Sequence, residues 1–235
     1  MSFLEIKNLN ASYARSQILF DLNIDIQEGK ITALLGRNGA GKSSTFKAIT
    51  GMIKINSGSI ALNNKDLTNK PTYYRSKNGI GYVPEEREVF PEHTVEENID
   101  LGKKTNKNGN NIWGKEKIWD IFPILSKLKR RLAGQLSGGE QQMLSIARTL
   151  VGNPSILLLD EPSEGLAPII IQDISKILLD LKKTGATILL AEQNMHFCMK
   201  IAEQAIIIDR GRSVWKGTIR QLKKEKKTMN RYLAV

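Results

Sequence analysis

Length, composition and charge exclude several classes of protein. The chain has 235 residues, 40% of them hydrophobic and 25% charged, which is typical of a globular protein with one sizeable domain and room for an inserted subdomain. No apolar run reaches the roughly 18–20 residues of a membrane span, and the single cysteine, Cys198, excludes an intrachain disulfide or a multi-cysteine metal site. The N-terminus lacks a basic segment followed by an apolar stretch, so we expect no signal peptide and a cytoplasmic protein.

The formal net charge of +11 is partly concentrated near the C-terminus. Lys and Arg dominate residues 210–235, where Glu225 is the only acid, and a second basic cluster contains Lys103, Lys104 and Lys107. Neither cluster forms a known nucleic-acid-binding motif. We therefore interpret residues 221–235 as a solvated basic tail, with contact to an anionic membrane surface as the alternative, and we expect no nucleic-acid partner.

The first 88 residues predict several β-strands and one helix. Residues 3–9 and 22–26 alternate apolar and polar side chains, as half-buried strands do. Residues 31–35 predict a short apolar strand after a Glu-Gly-Lys turn, residues 44–49 are compatible with a helix, and residues 59–62 predict a further strand.

The middle of the chain changes to a helical pattern. Thr94 and Glu97 have the spacing of a capping box, in which the two side chains satisfy free backbone N–H groups at a helix start. Apolar residues recur at helical spacing between 113 and 129, after a polar loop at 105–111. We therefore predict a helical block over residues 89–150.

Beyond residue 150, strands and helices alternate. Apolar runs at 156–159, 187–191 and 205–208 predict strands, and residues 169–183 and 195–203 have helical spacing. Such alternation is typical of a parallel sheet covered by helices, so the predicted fold class is α/β.

A glycine-rich segment between a predicted strand and a predicted helix satisfies the pattern G-x-x-x-x-G-K-[ST]. Glycines allow the backbone to wind tightly and aim successive N–H groups at a phosphate, and the positive end of the following helix adds to the attraction. Lys42 would reach the β- and γ-phosphates of ATP, and the Ser43 hydroxyl would coordinate Mg²⁺. The predicted nucleotide-binding residues of this loop are Gly36, Arg37, Asn38, Gly39, Ala40, Gly41, Lys42, Ser43 and Ser44.

Two carboxylates follow the apolar strand at 156–159. Asp160 would hold Mg²⁺ directly or through water, and Glu161 would orient and polarise the attacking water as a general base. Two acids can also simply end a strand at the solvent, but beside a phosphate loop they predict an enzyme that hydrolyses a nucleotide.

The segment Leu136-Ser137-Gly138-Gly139-Glu140-Gln141-Gln142 precedes an apolar-periodic helix at 143–150. Ser-Gly-Gly before a helix offers a second anion-binding N-terminus. With these motifs in this order, the chain resembles the ATP-binding-cassette (ABC) ATPases over essentially its whole length. The resemblance implies a P-loop NTPase with a RecA-like parallel-sheet core, an N-terminal antiparallel β subdomain and an inserted helical subdomain.

The resemblance also implies how the ATP site is completed. Two cassettes pair head to tail, so that Ser137, Gly138 and Gly139 contact the γ-phosphate of ATP bound to the partner, and Tyr13 matches the aromatic residue that stacks on adenine. The implied organisation is a nucleotide-binding core at 1–88 and 151–220, a helical subdomain with the signature at 89–150, and the basic tail at 221–235.

Three positions depart from the family pattern. Glu85 follows Val-Pro where Gln is usual, and because its carboxylate can coordinate Mg²⁺ or its water, it is a candidate metal ligand and catalytic residue. Gln193 takes the place of the switch histidine, and its amide can donate a hydrogen bond to the γ-phosphate but cannot become cationic. Ala167 replaces the usual Asp of the loop after Glu161.

Val-Pro-Glu, Gly-Leu-Ala-Pro and Glu-Gln-Asn together are similar to the ATPases of branched-chain amino-acid uptake systems, with urea and short-chain amide importers as a close alternative. This resemblance implies a peripheral subunit on the inner face of the cell membrane, paired with a related but distinct ATPase and bound to membrane permease subunits. The remaining alternatives are a non-transport ABC ATPase acting in translation or DNA repair, and a basic nucleic-acid-binding protein with a regulatory ATP site.

Overall fold

The computed structural model describes residues 3–104 and 112–233, so the polar loop predicted at 105–111 lies outside the described residues. The described strands are β1 (Leu4–Tyr13), β2 (Ser16–Ile26), β3 (Ile31–Leu35), β4 (Lys54–Leu62), β5 (Lys65–Asp66), β6 (Ile80–Val83), β7 (Ile156–Asp160), β8 (Thr187–Glu192), β9 (Gln204–Asp209) and β10 (Arg212–Thr218). The described α-helices are α1 (Lys42–Thr50), α2 (Thr72–Lys77), α3 (Val95–Leu101), α4 (Lys115–Ile121), α5 (Pro123–Lys127), α6 (Gly138–Leu150), α7 (Pro168–Lys183), α8 (Met195–Ile201), α9 (Ile219–Leu222) and α10 (Lys226–Leu233).

The strands form two sheets. An antiparallel sheet has the order β2-β1-β4-β5, and a second sheet has the order β10-β9-β3-β8-β7-β6. In the second sheet the neighbours from β9 to β6 are all parallel, and β10 pairs with β9 in the antiparallel direction. The predicted α/β fold, with a parallel core beside an antiparallel β subdomain, is confirmed.

The central strands of the parallel sheet are buried on both faces, which explains their nearly continuous apolar sequences. Successive side chains of a strand point to opposite faces. Leu34 and Leu158 therefore face one hydrophobic cluster, shared with α1 and the antiparallel sheet, and Leu35 and Leu159 face the other, shared with α6 and α7. The loops that leave the carboxyl ends of β3, β7 and β8 are thus supported by a rigid core.

Helix α1 is anchored at its C-terminal end by a buried arginine. The guanidinium group of Arg75, only 3% exposed, donates hydrogen bonds to the carbonyl oxygens of Ala48 and Ile49 at 2.6 and 2.9 Å. It also donates to the carbonyl oxygens of Thr68 and Lys70. The bonds to Ala48 and Ile49 engage carbonyls of the last turn, which lack the i+4 N–H partner of the helix interior, and they fix the helix that follows the glycine-rich loop.

The helical block has the predicted start and an unpredicted break. The capping box is confirmed, because Thr94 Oγ1 accepts the N–H of Glu97 and Glu97 Oε2 accepts the N–H of Thr94 at 2.8 Å. The helical spacing at 113–129 corresponds to two helices, α4 and α5, that meet at Phe122. Pro123 causes the break, since it has no N–H to donate and disfavours helical dihedrals at the preceding residue.

The basic C-terminal segment is helical, and its lysine and arginine side chains are exposed to solvent. It forms α9 and α10, and Met229, Tyr232 and Leu233 pack partly buried against the core. Arg37 of the glycine-rich loop donates a hydrogen bond to the carbonyl oxygen of Arg231 at 3.3 Å. The apolar residues at i, i+3 and i+4 give this basic helix one face that can pack. Across residues 3–104 and 112–233, no helix combines the length and apolar content needed to cross a membrane.

Candidate functional site

The glycine-rich loop leaves β3 and turns directly into α1. Gly39 and Gly41 have φ angles of 75° and 108°, in the left-handed region that favours glycine. At Gly36 a Cβ atom would lie 2.5 Å from the carbonyl oxygen of Ile208, so a side chain has no room there. The loop is therefore tightly wound, and it ends at the N-terminus of a helix whose first N–H groups are free to bind an anion.

Lys42 is folded back into this loop. Its Nζ donates hydrogen bonds to the carbonyl oxygens of Gly36 and Arg37 at 3.0 and 3.3 Å, and it forms an ion pair with Glu161 Oε1 at 2.9 Å. The side chains of Lys42 and Glu161 are only 4% and 6% exposed. A buried ammonium group is thus held where a phosphate would enter, with its charge balanced by one carboxylate.

Asp160, at the end of β7, faces the first turn of α1. Ser43 Oγ donates to Asp160 Oδ1 at 3.1 Å, and Tyr82 OH donates to Asp160 Oδ2 at 3.2 Å. Burial raises the pKa of Asp160 to about 6, with a contribution from the nearby charge of Glu161, so this carboxylate is ionised at pH 7. Tyr82 has no place in the sequence motifs, and its role at Asp160 depends on the pairing of β6 with β7.

Ser43 and Asp160 are chemically suited to hold Mg²⁺. Both offer oxygen atoms, which Mg²⁺ prefers, and Mg²⁺ commonly binds one or two protein groups together with water and substrate phosphates. Among the residues described, no group of three or more His, Cys, Asp or Glu side chains could form a metal cage. A two-ligand site completed by phosphate oxygens and water fits this arrangement.

Glu161 sits in a strained turn immediately after Asp160. Its φ angle is 45°, in the left-handed region that non-glycine residues rarely adopt. Gln193 Nε2 donates to Glu161 Oε1 at 3.3 Å. Lys42 and Gln193 therefore both contact the carboxylate of Glu161. Strain of this kind is often found where a functional side chain must be aimed.

Glu192, which the motifs leave without a role, lies beside this turn. It is 1% exposed, and its carboxylate accepts backbone N–H groups from Ser163, Gln193 and Asn194. The only hint in the sequence is its position at the end of an apolar strand.

Glu85 and Tyr13 are more exposed than the groups around Lys42. Partial desolvation and the neighbouring carboxylates of Glu164, Glu86 and Glu161 raise the pKa of Glu85. Tyr13 is the last residue of β1 and is 38% exposed, so it is accessible at the protein surface.

The signature segment begins α6. Ser137 Oγ accepts the N–H of Glu140, and Glu140 Oε2 accepts the N–H and the hydroxyl of Ser137, both at 2.8 Å. A Cβ atom at Gly139 would lie 2.5 Å from Ile170 Cγ2, whereas one at Gly138 would meet the flexible end of the Arg87 side chain. Within the described residues no hydrogen bond joins residues 137–139 to the glycine-rich loop.

Comparisons with known proteins identify the family of this chain. A family model described as ABC transporter matches residues 19–164. The high-affinity branched-chain amino acid transport ATP-binding protein BraG of Pseudomonas aeruginosa is 38% identical over 98% of this chain and 99% of its own length. The probable branched-chain amino acid transport ATP-binding protein LivF of Archaeoglobus fulgidus is 40% identical, with 95% of each chain covered.

More distant relatives and solved structures agree with the same family. The lipopolysaccharide export system ATP-binding protein LptB of Haemophilus influenzae is 33% identical over 99% of this chain and 98% of its own length. A crystal structure of a nucleotide-free ATP-binding cassette from an ABC transporter matches with a TM-score of 0.84 at 27% identity, covering 100% of this chain and 99% of the other. ATP-binding subunits of ABC transporters work as dimers with membrane permease components. This chain belongs to the ABC transporter family and is one of its ATPases, which bind and hydrolyse ATP.

Proposed function

We propose that this chain is the ATP-hydrolysing subunit of an importer for branched-chain or other amino acids, bound at the cytoplasmic face of the membrane. The observation that carries the proposal is the similarity to BraG and LivF, at 38% and 40% identity over nearly the full length of each chain. The Val-Pro-Glu and Glu-Gln-Asn motifs support it, because both depart from the usual family sequence and both are similar to this subfamily.

The contacts of Lys42 support an exchange of its ion-pair partner, from Glu161 to phosphate, when ATP binds. Phosphate oxygens would compete with Glu161 for the Lys42 ammonium group, since both are anionic acceptors within reach of one cation. Glu161 would then be free to accept a proton from the attacking water, as a general base. Gln193, which already donates to Glu161, would direct its amide to the γ-phosphate.

Ser43 and Asp160 would hold Mg²⁺ between them, with Glu85 as a further candidate through water. When bound, Mg²⁺ neutralises charge on the β- and γ-phosphate oxygens. Tyr82 would keep Asp160 oriented through its hydroxyl, and Tyr13 would stack on the adenine ring.

The signature residues Ser137, Gly138 and Gly139 would serve ATP bound to a partner subunit in a head-to-tail dimer. The start of α6 supports this role. Its capping box uses the N–H groups of Ser137 and Glu140, and those of Gly138 and Gly139 are left to attract an anion at a second helix N-terminus. Because Glu85 and Gln193 replace two usual sensors, we propose a related, non-identical ATPase as the partner.

Purification of the tagged chain from its native membrane tests the proposal. We expect two permease subunits and a second ABC ATPase in the same complex, and amino-acid-stimulated ATP hydrolysis once a matching solute-binding protein is added. Recovery of ribosomes, nucleic acid or lipopolysaccharide-export components in place of permeases would contradict it.

A groove with several exposed apolar side chains lies between the core and the helical block, and it supports a permease contact. The groove has a volume of about 510 Å³, and its lining includes Met52, Phe90 and Leu101, which are 53%, 46% and 56% exposed. The guanidinium of Arg148 stacks over the Phe90 ring at 4.9 Å and shapes one wall. We propose that a short cytoplasmic helix of the permease packs here through apolar residues.

Leu101→Glu is expected to weaken this contact by at least about tenfold, because a charge replaces an exposed apolar side chain that would be buried on docking. Co-purified permease and solute uptake should both fall, while ATP hydrolysis by the isolated subunit should stay near that of the wild type. Val214→Glu is the matched control, since Val214 is an exposed apolar residue of β10 that does not line the groove. Equal losses of permease binding in both variants would contradict the assignment of the groove.

A further inference from the structure

The carboxylate of Glu192 connects two loops of the ATP site. It lies at the end of β8, where the side chain is almost completely buried. Oε1 accepts the N–H of Ser163 at 2.9 Å. Oε2 accepts the N–H groups of Gln193 and Asn194 at 3.2 and 3.1 Å. Three amides from two separate loops therefore converge on one side chain.

The chemistry of these contacts requires a carboxylate. An ionised carboxylate is purely an acceptor and can take several N–H groups at once, whereas an amide of the same shape has only one accepting oxygen. Hydrogen bonds to a charged acceptor are also stronger than those between neutral groups. Burial raises the pKa of Glu192 to about 6, so the ionised form is present at neutral pH.

The two loops are those that carry Glu161 and Gln193. Ser163 is two residues beyond Glu161, whose positive φ angle is unfavourable for a non-glycine residue and persists only where surrounding bonds enforce it. The Glu161 N–H donates to the carbonyl oxygen of Ala191 at 2.9 Å, and the Ser163 N–H donates to Glu192. The strained turn is thus pinned to the end of β8 on both sides of the Glu161 side chain.

We propose that Glu192 is a positioning residue, which locks the turn carrying Glu161 to the loop carrying Gln193 so that these two side chains keep one geometry around the γ-phosphate. This inference rests on the roles proposed above for Glu161 and Gln193. Glu192 accepts hydrogen bonds from backbone amides and from the Ser163 side chain, and it acts through the two loops that these groups belong to.

The test is steady-state ATP hydrolysis and fluorescent-ATP binding by the complete complex carrying Glu192→Gln. We expect kcat to fall by about 10–10²-fold, the scale of a small displacement of catalytic groups, while the Kd for ATP changes less than about twofold. Glu192→Asp, which keeps two accepting oxygens on a shorter side chain, should recover part of the loss. Asp66→Asn is the matched control, because Asp66 also accepts a backbone N–H, from Thr68 at 2.9 Å, in the antiparallel sheet. Its kcat should equal that of the wild type.

A double variant separates positioning from general destabilisation. If Glu192 acts through Glu161, adding Glu192→Gln to Glu161→Gln should reduce kcat little further. Additive losses, a kcat within about twofold of wild type in Glu192→Gln, or parallel losses of kcat and ATP affinity in both Glu192 variants would overturn the inference. Full turnover in Glu161→Gln alone would overturn the roles proposed for the site, whereas slow turnover there with normal turnover in Glu192→Gln would overturn this inference alone.

Discussion

Glu161→Gln is expected to slow ATP hydrolysis by about 10²–10⁴-fold, the usual range for losing a general base, while ATP remains bound. Gln has nearly the same shape and keeps an oxygen for the hydrogen bond from Gln193, but it cannot take a proton from water. The substitution also removes the carboxylate that pairs with Lys42, so the ammonium group becomes more available to phosphate. Phosphate release by the purified complex gives the rate, and titration with a fluorescent ATP analogue gives the affinity.

Glu203→Gln provides the control for this experiment. Glu203 also pairs with a lysine, Lys182, at 3.1 Å, but both side chains are about one-third exposed and lie outside the ATP site. Turnover of Glu203→Gln should equal that of the wild type. If Glu161→Gln retained turnover within a few-fold of wild type, another group would have to activate the water.

Lys42→Met is expected to weaken ATP binding by about 10–10²-fold, since a hydrogen bond from a charged group contributes roughly 1.5–3 kcal/mol. It should also destabilise the nucleotide-free protein, because the Glu161 carboxylate is then left buried without its cation. Breaking a buried ion pair from one side costs on the order of 3–5 kcal/mol. Urea-induced unfolding of the nucleotide-free protein measures this second effect separately from the first.

The double variant Lys42→Met, Glu161→Gln distinguishes these two effects. Removing both charges should recover much of the free energy of unfolding that each single variant loses, because neither charge is left alone in the core. ATP affinity should stay low, since the cation is still missing. The corresponding double-mutant cycle at Lys182 and Glu203 should show weaker coupling, because both side chains of that pair are about one-third exposed to solvent. A double variant no more stable than Lys42→Met would mean that the ion pair does not account for the instability.

Some parts of the site follow from local sequence. The glycine spacing at 36–41 requires a wound backbone, and the capping boxes at Thr94 and Ser137 act within four residues. The break at Phe122 also has a local cause in Pro123, although helical periodicity by itself does not reveal it. In these cases the interacting groups are neighbours along the chain, so their spacing carries the information.

Other parts depend on the packing of distant segments. Tyr82 reaches Asp160 only because β6 and β7 pair, and Glu192 reaches Ser163 only because β7 and β8 end at the same edge. The docking of α10 beside Arg37 likewise requires the tail to fold back onto the core.

The sequence by itself therefore determined the α/β fold, the family and the candidate groups for phosphate and Mg²⁺, because those signals are local patterns. Only the tertiary structure decided which side chains hold those groups in place, because contacts between loops depend on the register of the sheet.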